Sequence, residues 1–390
     1  MAEAYPDPPA DHPSLSAADL QLQLDAGDPV RLLDVRNRDE FDRWQISGPS
    51  VTATQLPFAK FLQAQVTGDI DDLRDRIAGE GPITVVCARG EASAFVAGLL
   101  ADHGIEAQNL ADGMTGWARL YEAVELPCDV ATVVQYRRPS SGCLSYLVAS
   151  ESAAAVIDPL RAFTDRYVAD VADHDATLDY AVDTHIHADH ISGRQRLASD
   201  HGATPVLPVR AADRGVTDAV SALPAEGSLS VGAATLTAVA LPGHTTGMTG
   251  FRVGDLLLAG DSVFLESVAR PDLEAGDDGA PALARELYET LTVRLPALPE
   301  QTLVAPGHYE QMTEPAADGT YTARLGDLLS RLTATGLDQE TVVERVCNDI
   351  PPRPANVERI VAINLGTERA DDETAFELEL GPNNCAAAPL

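Results

Sequence analysis

Four residues able to bind a metal fall within six positions of this 390-residue sequence, in the run Thr184-His185-Ile186-His187-Ala188-Asp189-His190. Residues two apart in an extended strand leave from the same face, so His185 and His187 are expected to project together. Asp189 and His190 would then open a helix and swing back toward the same point. Two more histidines each follow a glycine after an apolar run, His244 in Pro242-Gly243-His244-Thr245 and His308 in Pro306-Gly307-His308. Between them Asp261 follows the apolar residues 256–259. Imidazoles and carboxylates gathered at strand ends are ligands for Zn(II), Mn(II) or Fe(II). An isolated histidine such as His103 or His201 reads as a surface or satisfied core residue. Little but a metal site explains four ligands placed this closely.

The other reactive side chain is Cys87, which ends the apolar strand expected at residues 83–86 and opens a loop before an Ala-rich helix. The five cysteines, at 87, 128, 143, 347 and 385, form no C-x-x-C pair and no even framework. That argues against a zinc knuckle and against a disulfide-stapled secreted fold. Cys128, Cys143, Cys347 and Cys385 read as structural thiols.

The elements that must position these residues fall into two segments and a tail. At roughly 150 residues per domain, two or three domains are expected. Strand–loop–helix units over residues 14–125 indicate an α/β domain with a largely parallel sheet. Short apolar strands then recur through residues 130–315, at 144–148, 154–157, 180–182, 236–241, 250–253, 256–259 and 302–305. Helical stretches sit between them, at 193–201 and 282–295. Residues 316–390 form a helical, then acidic extension expected to pack on the second domain, with the turn-forming Gly381-Pro382-Asn383-Asn384-Cys385 folding back on the body.

Sixty acidic against 27 basic residues give a formal charge of −33, and Lys60 is the only lysine. Such a surface repels nucleic acid and anionic lipid. Acid excess with lysine nearly absent points to a halophile, in which concentrated salt screens the self-repulsion. The leader, residues 1–16, is acidic and Pro-rich, and no apolar run approaches the ~20 residues of a membrane span. A soluble, cytoplasmic protein is expected, and a homo-oligomer is compatible with everything above.

H-x-H-x-D-H followed by Gly-His, Gly-Asp and Gly-His resembles the metallo-β-lactamase superfamily, an αβ/βα sandwich. The resemblance covers about residues 130–309 and all seven usual ligand positions: His185, His187, Asp189, His190, His244, Asp261 and His308. Thr184 to Gly193, Val156-Ile157-Asp158-Pro159 and Ala269-Arg270-Pro271-Asp272-Leu273 together resemble its persulfide dioxygenase branch. That resemblance implies a single Fe(II) on His185, His244 and Asp261, with three coordination positions open to reactants. His187, Asp189, His190 and His308 would surround the iron or line a vacant site. It implies oxidation of a small-thiol persulfide by O2 to sulfite and thiol, with glutathione or an equivalent as the thiol. Arg270 would orient a substrate carboxylate, or pair locally with Asp272 to shape the loop. After the last histidine, Tyr309-Glu310 stands where the branch usually has Asp-Tyr.

Leu33-Asp34-Val35-Arg36 with Glu40, Phe41 and Trp44, Val85-Val86-Cys87, and Gly113-Met114-Thr115-Gly116-Trp117 resemble rhodanese domains. That resemblance makes Cys87 a sulfur-carrying nucleophile whose loop amides favour a thiolate and an anion. Arg89 would supply the cation where rhodaneses commonly have arginine at the position of Ala92. The alternative is an inert buried cysteine.

The chain therefore reads as an α/β rhodanese-like domain followed by an αβ/βα metallo-β-lactamase sandwich, a dioxygenase coupled to sulfur transfer. Two rivals remain. The seven ligand positions also suit a two-zinc thioester hydrolase resembling glyoxalase II, with two Zn(II) in place of one Fe(II). A non-catalytic sulfur carrier or persulfide sensor would use Cys87 alone, with a structural metal.

Overall fold

The computed structural model describes residues 12–77, 79–348 and 350–387. Most of the expected leader and Ala78 lie outside them. The chain divides into two compact units at Leu120/Tyr121. Among the described residues, no helix is long and apolar enough to cross a membrane.

The first unit is a five-stranded, all-parallel sheet of β1 (Ser14–Leu15), β2 (Val30–Asp34), β3 (Val51–Gln55), β4 (Ile83–Val86) and β5 (Ala107–Leu110). Their order is β1-β5-β4-β2-β3. Buried on both faces, the central strands need continuous apolar runs, as in Ile83-Thr84-Val85-Val86. Cys87 leaves the carboxyl end of β4, the middle strand. Helix Glu91–Asp102 follows and buries Phe95, Val96, Leu99 and Leu100 in the core.

The second unit is built on two sheets. One contains β6 (Glu122–Leu126), β7 (Thr132–Arg138), β8 (Cys143–Ser150), β9 (Ala153–Ile157), β10 (Thr177–Val182), β11 (Thr204–Pro208) and β12 (Ser221–Leu223), in sequential spatial order. The other contains β13 (Ser228–Val231), β14 (Ala234–Ala240), β15 (Thr249–Val253), β16 (Leu256–Gly260), β17 (Leu303–Pro306) and β18 (Ala323–Arg324). Strand alternation explains the layering. Leu256 and Leu258 join Tyr146, Val148, Ala155 and Ile157 in the core shared by the sheets. Their neighbours Leu257 and Ala259 face outward, onto helix Gly276–Glu289 and helix Gln339–Asn348. On the opposite sheet, Leu147 and Val156 pack on helix Thr164–Asp173. The result is helix, sheet, sheet, helix.

Two placements differ from the sequence reading. Residues 122–125, expected at the end of the first domain, form with Leu126 an edge strand paired antiparallel with β7. Asp189 and His190 do not begin a helix. The chain stays irregular until helix Arg194–His201, because side chains of the C-terminal segment bind its backbone groups instead. Helices Val357–Asn364 and Asp372–Leu378 bury Ile360, Ile363, Ala375 and Leu378 against Ile191. Beyond them residues 384–387 fold back, with Ala386 bridging to Ala269.

Candidate functional site

Three ligand atoms converge where β16 ends. His244 Nε2 lies 3.7 Å and His185 Nε2 3.9 Å from Asp261 Oδ2. The three side chains are at most 1% exposed, and His185 Nε2 and Asp261 Oδ2 have no hydrogen-bond partner. Every other polar edge is anchored. His185 Nδ1 donates to Thr184 Oγ1 at 2.8 Å, because that hydroxyl itself donates to Asp158. His244 Nδ1 donates to the Arg270 carbonyl at 2.8 Å. Asp261 Oδ1 accepts from His308 Nδ1 at 2.8 Å. Both rings thus aim a lone pair at one point, the outer hydrogen bonding that holds metal-binding histidines. Burial lowers the basicity of His185 and His244, keeping them neutral and fit to ligate. Burial would raise Asp261, but His308 and the two rings hold it below the usual carboxylate range. Two imidazoles and one carboxylate with bare inward atoms fit a divalent metal that keeps open positions.

The remaining ligand positions divide in two. His187 does not share the aim of His185. Its Nε2 donates to Asp158 Oδ1 at 3.0 Å, and the same carboxylate accepts from Thr184 N at 2.7 Å. Asp158 therefore sorts the two histidines, a role the sequence reading did not assign. Asp189, His190 and His308 form a second cluster, joined by Cys143. Burial opposes protonation of His308, but Asp261 and Asp189 raise it well above the ordinary imidazole value.

Of the two expectations for Arg270, the structure shows the local pair with Asp272. Only 1% exposed, it pairs with Asp272 through Nε and Nη2 at 2.7 and 3.0 Å. Its Nη1 donates to the Pro352 and Asn384 carbonyls, both at 3.0 Å. The guanidinium ties down the tail. Cys143 and Cys385, read as structural thiols, both reach the centre. Cys385 Sγ lies with Asp261 and His308, and its side chain packs with Phe264 and Ala269. No local motif marks either cysteine.

In the first unit, Cys87 is 4% exposed, and its Sγ accepts from Gly90 N at 3.0 Å and Ser93 Oγ at 3.1 Å. Gly90 has φ +99°, and a Cβ there would come within 2.9 Å of Asp112 N, so the loop needs glycine. Arg89 is exposed on the same loop.

A buried two-histidine, one-carboxylate triad at the strand ends of an αβ/βα sandwich defines a metalloenzyme domain. The family description "Metallo-beta-lactamase superfamily" matches residues 139–308, and "Rhodanese-like domain" matches residues 16–120. Persulfide dioxygenase ETHE1, mitochondrial, of Homo sapiens is 28% identical over 240 residues, covering 59% of this chain and 86% of that protein. Hydroxyacylglutathione hydrolase of Rhodobacter capsulatus is 32% identical over 230 residues, covering 55% and 76%. The crystal structure of ETHE1 from Myxococcus xanthus superposes with a TM-score of 0.53 at 28% identity, covering 60% of this chain and 98% of that one. The chain belongs to the metallo-β-lactamase superfamily and carries a rhodanese-like domain ahead of its metalloenzyme domain.

Proposed function

We propose that the second unit oxidises a small-thiol persulfide with O2, using one Fe(II) held by His185, His244 and Asp261. RSSH, O2 and water give RSH, sulfite and two protons. The outer sulfur is oxidised by four electrons, which O2 takes up. The observation that carries this reading is the triad itself, in which two neutral Nε2 atoms and one carboxylate oxygen share a focus while His187 is turned to Asp158. The similarity to the human persulfide dioxygenase ETHE1 and to the ETHE1 structure from Myxococcus xanthus supports the same choice.

Iron would supply adjacent coordination positions for the two reactants and mediate electron transfer between them. The chain's own residues do the rest. Thr184 and the Arg270 carbonyl fix the histidine tautomers, and His308 orients Asp261. Phe264, Ala269 and Cys385 pack a largely apolar wall against the site, limiting water. In the rhodanese-like unit, Cys87 would carry a sulfane sulfur as a persulfide, with Gly90 N–H and Ser93 O–H supporting the thiolate. The excess of 60 acids over 27 bases, with one lysine, supports work in concentrated salt.

The experiment is oxygen uptake by the iron-loaded protein in concentrated KCl on adding a small-thiol persulfide. Stoichiometric uptake with sulfite formed is expected. Asp261→Ala should abolish it and leave sulfur transfer intact, and Cys87→Ser should do the reverse. No uptake with iron confirmed in place would overturn the reading. The 32% identity to a hydroxyacylglutathione hydrolase favours one rival, a two-zinc thioesterase. Thioester turnover by the zinc-loaded protein, without oxygen uptake by the iron form, would establish that rival.

A further inference from the structure

A cavity of about 580 Å³ lies beside the centre, and the stretches of chain that wall it also supply the centre. Ser141 lines the cavity, and Cys143 two residues on meets Asp189. Tyr309 lines it, and His308 before it meets Asp261. Asn384 and Ala386 line it, and Cys385 between them lies with Asp261 and His308. His308 is 3% and Cys385 0% exposed, so one layer of side chains separates the cavity from the triad. Asn383 ties two of these stretches together, donating to the Ser141 carbonyl and accepting from Cys385 N.

The wall lacks what a dicarboxylate thiol such as glutathione needs. Ile350, Pro351 and Pro382 give it apolar surface. Among the described residues that line it none is basic, and Glu310 is the one acidic side chain. Ser267 Oγ donates to Glu310 Oε1 at 2.6 Å, which fixes an exposed carboxylate at the cavity's edge. Glu310 is also half of the Tyr309-Glu310 pair by which this chain departs from the persulfide dioxygenase branch. The arginines that clamp the tail are engaged elsewhere. Arg270 and Arg353 both pair with Asp272, and Arg353 also pairs with Asp277.

We propose that this cavity receives the carrier end of the substrate thiol, and that Glu310 selects a carrier bearing an ammonium group and no carboxylate. The inference rests on the dioxygenase reading and names its substrate class, a small aminothiol that is cationic overall. Its ammonium would pair with Glu310, and the apolar wall would take its carbon frame. A carboxylate on the carrier would instead face Glu310 with no cation on the wall to compensate it. Repulsion of that kind discriminates between ligands as well as a new attraction does. The net charge of −33 would repel anions too, but only at low salt. In concentrated salt, charges are screened beyond about 3 Å, so the choice falls to the carboxylate in contact.

The test measures binding to the full chain by calorimetry in about 1 M KCl, where long-range charge is screened. The probes are S-methylglutathione, with two carboxylates and one ammonium, and its diethyl ester, the same frame with the ammonium alone. Neither can form a persulfide, so binding is read apart from turnover. The diester should bind about 2- to 5-fold more tightly, the range of one exposed charge contact. Glu310→Gln should remove that preference, and Glu310→Arg should reverse it. A preference kept in full by Glu310→Gln would belong to the added ethyl groups and overturn the proposal. Tighter binding of the diacid, or no binding of either probe, would overturn it too. Persulfides of glutathione and of its diethyl ester should follow the same order in KM for oxygen uptake, and the opposite order would count against Glu310. If neither supports uptake, the dioxygenase reading fails, and the binding order alone still decides this proposal.

Discussion

The side-chain amide of Asn364 donates to the main-chain carbonyl of His190 at 2.9 Å, across 174 residues of sequence. Its second hydrogen reaches the His187 carbonyl at 2.9 Å, and its oxygen accepts from Ser192 N at 2.9 Å. One buried asparagine from the C-terminal segment therefore does for the loop of residues 187–192 what a helix would have done for itself. Asn364→Ala should leave the sheets folded and free the loop. Metal affinity should fall about 10- to 100-fold, the usual effect of removing an outer-sphere partner. Competition with a chelator measures it, and unchanged affinity would remove Asn364 from any positioning role.

Glu379 holds the same loop from the other side. Its Oε1 accepts from Ile191 N at 2.8 Å and its Oε2 pairs with Arg138 Nη1 at 2.9 Å, with both side chains 1% exposed. Arg138 also lies over the rings of Phe163 and Phe376. Breaking a buried pair leaves a charge without its partner, so Glu379→Gln should cost about 3–5 kcal/mol of stability. Replacing both partners, Arg138→Met with Glu379→Leu, should cost much less. Denaturant unfolding of the three proteins gives the comparison, and equal losses would refute the ion-pair account.

The clamp on the tail predicts a pH response. Burial would raise Asp272, but hydrogen bonds and charge from Arg270 and Arg353 hold it below its usual value. A carboxylate depressed on folding contributes stability that is fully present above its unfolded pKa, about 3.9. The contribution is lost as pH falls through the lower, folded value. Asp272→Asn should therefore be less stable than the parent at neutral pH, and the two melting temperatures should converge toward pH 2–3, roughly. A constant difference across that window would assign the effect to shape rather than charge.

Gly113 makes the first unit sensitive to one added methyl group. Its φ is +53°, and a Cβ would fall 2.2 Å from the Cys87 carbonyl oxygen, a backbone atom that cannot step aside. Met114 N and Thr115 N donate to the Cys87 and Ala88 carbonyls, so this turn holds the thiol loop. Gly113→Ala should cost on the order of 1–3 kcal/mol from strain and displace Sγ. Sulfur transfer by Cys87 should drop sharply, with metal binding by the second unit unchanged. Cyanide-dependent thiosulfate turnover beside metal content tests both halves.

Much of this protein was legible along the chain because it is local. Alternation in Leu256-Leu257-Leu258-Ala259 states which side of a sheet each residue faces, and the histidine run and Cys87 mark strand ends by short spacing. What only the tertiary structure decided is which atom each side chain meets. His185 and His187 leave the chain two residues apart, yet Asp158, just past the end of the neighbouring strand, holds one back and lets the other point to Asp261. Arg270 turns to a tail 114 residues away, Cys143 to an aspartate 46 residues away, and the loop of residues 187–192 to Asn364 and Glu379. Spacing sets the direction in which a side chain departs, over a few residues and by backbone geometry alone. The partner it finds there depends on how segments distant in sequence pack around a shared core, and no local period carries that information.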